Sequence, residues 1–467
     1  MAILGKLNMK EFKMLAVNGQ LGYGFPEDIF MNGMQKKPDI VGADGGSNDG
    51  GPFYLGAGLS HCDNDAIKRD LNIIIPAIRE ANVPFVIGSA STAGGNPHVD
   101  VTLDIVKRIC KEISWKAKIA VIRSEVPKEL VLKKWRIGEI SPIDGAPELS
   151  EQDINSSERI VAQIGTEPFN RALETEADII VAGRACDTAI FAALPIKMGF
   201  DPALCFHAAK ILECGAYCCS PGVSSESMMA VIRENDFILE TLNPRRKVLP
   251  MSVSAHSLYE QGHPSKFYEP DGMTECGSAA FEAYNGSDRA VRVFGTKFIA
   301  NLNGKLTLKL EGVAKEGYRT ACIVGIRDIY MIKNLDIALD NVRNFIKKNM
   351  GETQKGLYDI QFHVYGKNAV MGELEYVKNT PHEVGVLIDV LAEDQILANT
   401  VCALARSNIL HVEYPERRTT GGNVAMAFSP HDIPVGAVYR FSIYHILENL
   451  CNKDFESMFP IETAEAY

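Results

Sequence analysis

No apolar run in this chain is long enough to cross a bilayer. The first residues, MAILGKLNMKEFKMLAV, mix Lys and Glu into the apolar positions and lack the layout of a secretory signal. The 11 cysteines contain no CxxC pair, so Cys214, Cys218 and Cys219 do not read as a zinc site. Odd in number and scattered, they read as reduced thiols of a cytoplasmic protein. No GxGxxG opens a helix at the first strand-to-helix turn, and GxxxxGK[ST] and GxSxG are missing. Dinucleotide-dependent dehydrogenase, P-loop NTPase and α/β-hydrolase readings therefore fit poorly. Basic residues are outnumbered, 48 Lys and Arg against 59 Asp and Glu, for a net charge of −11. That balance argues against general nucleic-acid binding. A small anionic ligand stays open, because backbone dipoles at helix N-termini act locally.

What is present is a soluble globular composition, 46% hydrophobic and 23% charged. A length of 467 residues favours more than one domain. One pattern occurs three times: a short apolar run, a Gly-rich turn, then a helix. The first is Pro38–Gly58, PDIVGADGGSNDGGPFYLGAG, in which Asp44, Ser47, Asn48 and Asp49 interleave with Gly45 and Gly46. The second is Pro84–Asp100, where Phe85-Val86-Ile87 leads into Ser89, Ser91, Thr92 and Gly94 before a helix near His98. The third is Ala177–Leu194, where Ile179-Ile180-Val181 leads into Gly183, Arg184 and the Asp187-Thr188 pair. Strands ending in such loops are the usual ligand sites of open α/β sheets.

The alternation to about residue 220 predicts a doubly wound, mostly parallel sheet. Strands are predicted at Phe12–Val17 and Lys118–Ile122, and a helix at Asp65–Asn82 with a kink or break at Pro76. Arg159–Thr175 reads as helical, and so does Phe206–Cys219, with His207, Lys210 and Cys214 on one face. Pro250–Ser287 reads as a long irregular stretch, a lid or binding loop that makes His256 a candidate proton carrier. From about 320 to the end the order βαββαβ predicts a ferredoxin-like unit. The expected domains are thus an α/β domain over 1–245 and an α+β domain over 246–467.

Several longer segments add a resemblance. GADGGSNDGGPFYLG, GSASTAGGNPHVD, GRACDTAIFAALP, HAAKILECG, LNPRRKVLPMSVSAHSLYE, RAVRVFGTKF, KLEG and GAVYRFSIYH together resemble the acyclic terpene utilisation (AtuA-like) family, over nearly the whole chain. The resemblance implies an intracellular catabolic role, in pathways that run through acyl-CoA intermediates or short organic acids. It brings no established catalytic residue with it.

If the three loops converge, they join Asp44, Asp49, Asp100, Arg184 and Asp187 to the backbone N–H groups around Gly45, Gly46, Ser47, Ser89, Ser91, Thr92 and Gly94. Arg184, Lys210 and the N–H groups suit a carboxylate or phosphate. Asp44, Asp187 and His256 suit proton transfer, and Asp44, Asp49 and Asp187 suit Mg²⁺ or another divalent cation. The expected function is a lyase (hydratase or dehydratase) or isomerase acting beside the carbonyl of a small organic acid or CoA ester. The expected assembly is a homo-oligomer, with or without a second small subunit. The alternative is a non-catalytic organic-acid or acyl-CoA binding subunit of a larger enzyme. The competing reading of Asp187 and Asp100 is helix N-capping; that of His256 is a solvated or capping side chain.

Overall fold

The structure is a computed structural model and describes residues 10–466. Residues 1–9 of the N-terminal stretch quoted above lie outside that range. The fold is mixed α/β and divides into two compact units, residues 10–314 with 441–466, and residues 315–440.

The first unit is built on a ten-stranded sheet. At its centre Phe12–Ala16, Ile40–Asp44, Phe85–Gly88, Ile179–Ala182 and Lys118–Ile122 lie side by side in that order, all parallel. Antiparallel strands extend both flanks. Met228–Ile232, Phe237–Thr241, Ala290–Phe294 and Ala280–Ala283 follow beyond Phe12–Ala16. Ile461–Glu465 pairs with Lys118–Ile122. The central strands are short apolar runs because both of their faces are covered. Phe12, Met14 and Ala16 join one core with Phe169, Phe191 and Phe206, from helices Thr166–Glu174, Ala189–Lys197 and Pro202–Leu212. Leu15 and Val17 point the other way, into a core with Phe30, Leu71 and Val106, from helices Glu27–Gln35, Asn64–Ala81 and Asn96–Glu112. The sheet is thus wound on both sides, as the alternation predicts.

Four expectations are corrected. Of the kink or break expected at Pro76, the break does not occur: the helix Asn64–Ala81 runs on through it. Its inward stripe of Ile67, Leu71, Ile74 and Ile78 is fully packed, while Pro76 and the carbonyl it strands at Asn72 lie on the exposed side. Residues 157–163 form a strand rather than the start of a helix, and the helix begins at Thr166. The cause is a distant partner: Ser157–Gln163 pairs antiparallel with residues 309–314. The stretch 250–287 is ordered as helix Pro250–His256 and strands Lys266–Glu269, Gly272–Glu275 and Ala280–Ala283. Finally, the chain is not divided near residue 245. Phe237–Thr241 and Ala290–Phe294 pair in one sheet, so the first unit includes both sides of that position.

In the second unit, residues 318–326 pair antiparallel with Val384–Ala392, which pairs in turn with Tyr358–Tyr365. Val424–Met426 pairs with residues 324–326. Val384, Val386, Ile388 and Val390 alternate inward against helices Leu335–Met350 and Gln395–Ile409.

Gly42 tests the packing of the central sheet. A Cβ there would lie 2.3 Å from Phe191 Cε1, and the Phe191 ring is buried with nowhere to retreat. Gly42→Ala is expected to lower stability by about 1–3 kcal/mol through overpacking. Urea denaturation measures it, and an unchanged midpoint contradicts the packing account.

Candidate functional site

Parallel strands release their loops at one edge, so the turns after Ala16, Asp44, Gly88 and Ala182 meet there. Their approach is closer than side chains allow. A Cβ on Gly45 would lie 2.3 Å from the Ser89 carbonyl, and one on Gly94 would lie 2.1 Å from the Arg184 nitrogen. Gly94 also holds φ +65°. The loops are sewn together by backbone bonds: Gly45 N–H to Gly88 O at 2.8 Å, Ser89 N–H to Gly183 O at 3.0 Å and Arg184 N–H to Gly94 O at 3.1 Å. The glycines therefore serve loop-on-loop packing, and these N–H groups face neighbouring loops. Ser89, Ser91 and Thr92 hold positive φ of 43°, 47° and 85°. For a β-branched Thr this is a strained backbone, of the kind concentrated at functional sites.

Above the loops lies a cleft of about 280 Å³. Asp44, Gly46, Ser47, Asp49, Thr92 and Asp187 line it, as do Glu213, Tyr217, Tyr259 and Glu260. The other predicted residues sit behind or away from it. Ser91 is bonded to Thr102 at 2.8 Å, and Ser89 receives Arg184 Nη1 at 3.2 Å. Lys210 pairs with Glu213. His256 stacks on Tyr259, with ring centres 5.1 Å apart, and its Nε2 has no hydrogen-bond partner. Asp100 points outward to Arg123 at 2.7 Å and is not part of the site. His207, on the same predicted stripe as Lys210, is buried instead between Thr296 and Ser257, with bonds of 2.6 and 2.9 Å. A larger cavity of about 550 Å³, lined by Met31, Met34 and Val83, lies where the central strands begin, at the opposite edge, and gathers no comparable set of acids.

Arg184 donates through Nε to Glu311 at 2.9 Å and through Nη2 at 3.4 Å, and both side chains are almost fully buried. Asn48 donates to the same carboxylate at 2.6 Å, and Lys309 lies 2.9 Å from it. Glu311 thereby ties the Asn48 loop to the Arg184 loop. Burial pushes its carboxyl up, but Arg184 and Lys309 outweigh that and hold it down at about 2. Asp187, three residues beyond Arg184, has Oδ1 3.8 Å from Nη1.

The remaining acids are pushed the other way. Burial, and then the charge of Asp187, raise Asp44 well above the usual carboxylate range against the pull of Arg184. The same two causes raise Glu213 against Lys210. Burial raises Glu269, which accepts from Thr188 at 2.7 Å, to about 8. Three cations, Arg184, Lys210 and Lys309, thus face five carboxyls, Asp44, Asp187, Glu213, Glu269 and Glu311. The surplus is met by protons held on the raised acids. His256 is lowered to about 4 by burial and by Lys210, so it is neutral at pH 7.

The capping account of Asp187 does not hold. The helix Ala189–Lys197 is capped by Thr188 without a side-chain bond, and Asp187 Oδ1 has no hydrogen-bond partner. Asp100 lies inside its helix, whose cap is Gly95. Among the described residues no group of three or more His, Cys, Asp or Glu is arranged to hold a metal ion; Asp44, Asp49 and Asp187 share the cleft without forming such a group.

Two stability predictions follow from these charges. Glu311→Ala removes the carboxylate that Arg184 and Lys309 share, leaves buried Arg184 with only the longer 3.8 Å contact to Asp187, and is expected to cost about 3–5 kcal/mol in guanidinium denaturation. Glu269 is raised in the folded state from 4.5 to about 8. Its contribution is full below pH 4.5 and is lost as pH rises towards 8, because over that window the unfolded chain binds fewer protons. Thermal melts of Glu269→Gln across the window are expected to be flatter than those of the unaltered protein. Parallel curves contradict the assignment.

Neither curated protein sequences nor solved structures give a match. A family model does, that of the acyclic terpene utilisation family protein AtuA, over residues 64–424. The matched span includes Thr92, Asp187, Glu213 and Glu311 of the site, whereas Asp44 and Asp49 precede it. With most of its length matched, the chain belongs to the acyclic terpene utilisation (AtuA) family.

Proposed function

We propose that the cleft moves protons beside a carbonyl group, as a lyase of the hydratase or dehydratase kind or an isomerase. Membership of the family points to a role in terpene utilisation; the reaction is our own reading. One observation carries it: Asp187 stands between two acids, Asp44 and Glu213, that its own charge helps to keep protonated. Carboxyls raised beside a third carboxylate are the usual makings of general acids. In this scheme Asp187 takes the proton from the carbon next to the carbonyl. Protonated Asp44 donates a hydrogen bond to the carbonyl oxygen as negative charge develops there. Glu213, held by Lys210, returns or receives the second proton. His256, neutral and stacked on Tyr259, backs the wall of the cleft from behind that ring and stands in reserve as an acceptor.

A cleft of about 280 Å³ admits the reacting end of a small organic acid or of an acyl-CoA ester, with any larger group outside. The second unit, with helices Leu335–Met350 and Gln395–Ile409 against antiparallel strands, serves in this reading as a ferredoxin-like scaffold.

The test is proton exchange. Purified protein is incubated in D₂O with small organic acids and CoA esters and followed by ¹H NMR. Deuterium is expected at the carbon beside the carbonyl, and none across the series sinks the proposal. With a substrate in hand, Asp187→Asn and Asp44→Asn are each expected to lower turnover by about 10²–10⁴-fold. Their melting temperatures should hold, as should that of Asp187→Ala, since Asp187 is not a cap. Activity is expected to fall as pH rises and the raised acids lose their protons.

A further inference from the structure

We infer that the cavity of about 550 Å³ at the opposite edge of the central sheet is a second binding site, for an aliphatic alcohol. It shares no lining residue with the cleft, and its occupancy is independent of the acid–base chemistry there. Phe12, Met31, Met34, Val83, Leu194 and Met198 form its wall. The volume lies in the range of about 300–1,000 Å³ typical of pockets that bury most of a small ligand. The space is not a product of loose packing. A Cβ on Gly33, in the helix that carries Met31 and Met34, would lie 2.6 Å from the Leu15 side chain. The core beside the cavity thus has no room for one methyl group. A ligand that fits gains both burial and dispersion against such walls.

The wall sets the body of the ligand. Three methionines lie in it, and a thioether side chain is unbranched and polarisable, so it follows the outline of a flexible chain. The polar lining sets the head. Lys37 stands against Asp39 and Glu80, so the charges nearly cancel. A charged head would give up its water there with no clear surplus of counter-charge in return. The other polar groups are neutral. Gln35 and Asn82 each bring an amide. Three helices, Glu27–Gln35, Asn64–Ala81 and Ala189–Lys197, end at the cavity, where their last carbonyls are acceptors. Pro38 and Pro84 also line it and have no N–H to offer. A surplus of acceptors favours a head that donates, and a hydroxyl does so without charge. The chain then lies among the methionines and the O–H at the helix ends.

The cavity also sits on elements that reach the cleft. Asp39 immediately precedes strand Ile40–Asp44, whose last residue lines the cleft. Asp187 lines the cleft just before helix Ala189–Lys197, whose Leu194 lines the cavity. An occupant therefore touches the far ends of two elements that hold cleft acids, without entering the cleft.

The experiment is NMR titration of the full chain, labelled with ¹³C in its methionine methyl groups, with n-octanol, octanoate and n-octylammonium as a matched set at pH 7. Of the 15 methionines, Met31, Met34 and Met198 are expected to shift saturably with octanol. Single Met→Leu variants assign these signals, a swap that a core tolerates. Octanol is expected to bind at least about tenfold more tightly than either charged probe. Hexanol, two CH₂ groups shorter, should bind about fifteenfold more weakly than octanol. Ala81→Trp, at an exposed helix end that lines the cavity, should weaken octanol at least about tenfold with the melting temperature kept. Octanoate binding more tightly overturns the inference in favour of an anion site, and octylammonium binding more tightly in favour of a cation site. Shifts confined to other methionines, or octanol affinity unchanged in Ala81→Trp, overturn the placement. No shift at these three up to the solubility limit of octanol overturns it outright.

Discussion

The site depends on one buried ion pair. Arg184 and Glu311 come from distant parts of the chain and lie in the interior of the first unit, where neither tolerates losing the other. Around them are gathered Asn48, Ser89 and Lys309. The pair fixes two of the loops that form the cleft. It also sets the local field, because the Arg184 charge is the main force keeping Asp44 from rising still further. Glycines finish the assembly by letting the loop backbones touch, and the strain at Ser89, Ser91 and Thr92 is borne by that packing.

With the loops held, the chemistry follows from an imbalance. Too many acids for the available cations must keep some protons, and the structure sorts the acids by surroundings. Glu311, between two cations, is ionised; Asp44, Glu213 and Glu269, buried and near Asp187, are raised. Sequence-adjacent groups play unlike parts. Lys210 meets Glu213 at the cleft wall, while His207, one turn earlier, turns inwards to two hydroxyls.

The central sheet was legible because its strands are short apolar runs stopped by glycine, a local signal. Asp44, Asp49, Thr92 and Asp187 were legible as cleft residues for the same reason: each follows such a strand. Where a segment is decided by a remote partner, local pattern misleads. Arg159–Gln163 reads as the start of a helix until residues 309–313 pair with it. Glu311 lies in the KLEG segment of the family resemblance, but as one acid in an alternating strand it gives no local sign of a place at the site. Glu213 lies three residues beyond Lys210, a spacing that lets the two pair, but nothing local says which face of that helix meets the loops. Arg184 was legible as a cation near the site. That it faces Glu311 rather than open space follows from a contact 127 residues away in sequence.

The chain leaves the first unit after Ala314 and comes back to it at Phe441. The two flanks are close neighbours there: a Cβ on Gly312 would lie 2.8 Å from the Ile443 side chain, and Ser157, which pairs with Ala314, bonds to Ser442 at 2.8 Å. None of the ten strands of the large sheet comes from residues 315–440. Topologically, then, residues 315–440 are an excursion of the chain that leaves along strand Leu306–Ile326 and returns along strand Ile433–Leu450. A short linker from Ala314 to Phe441 would therefore leave the ten-stranded sheet and the loops around the cleft on an unbroken chain.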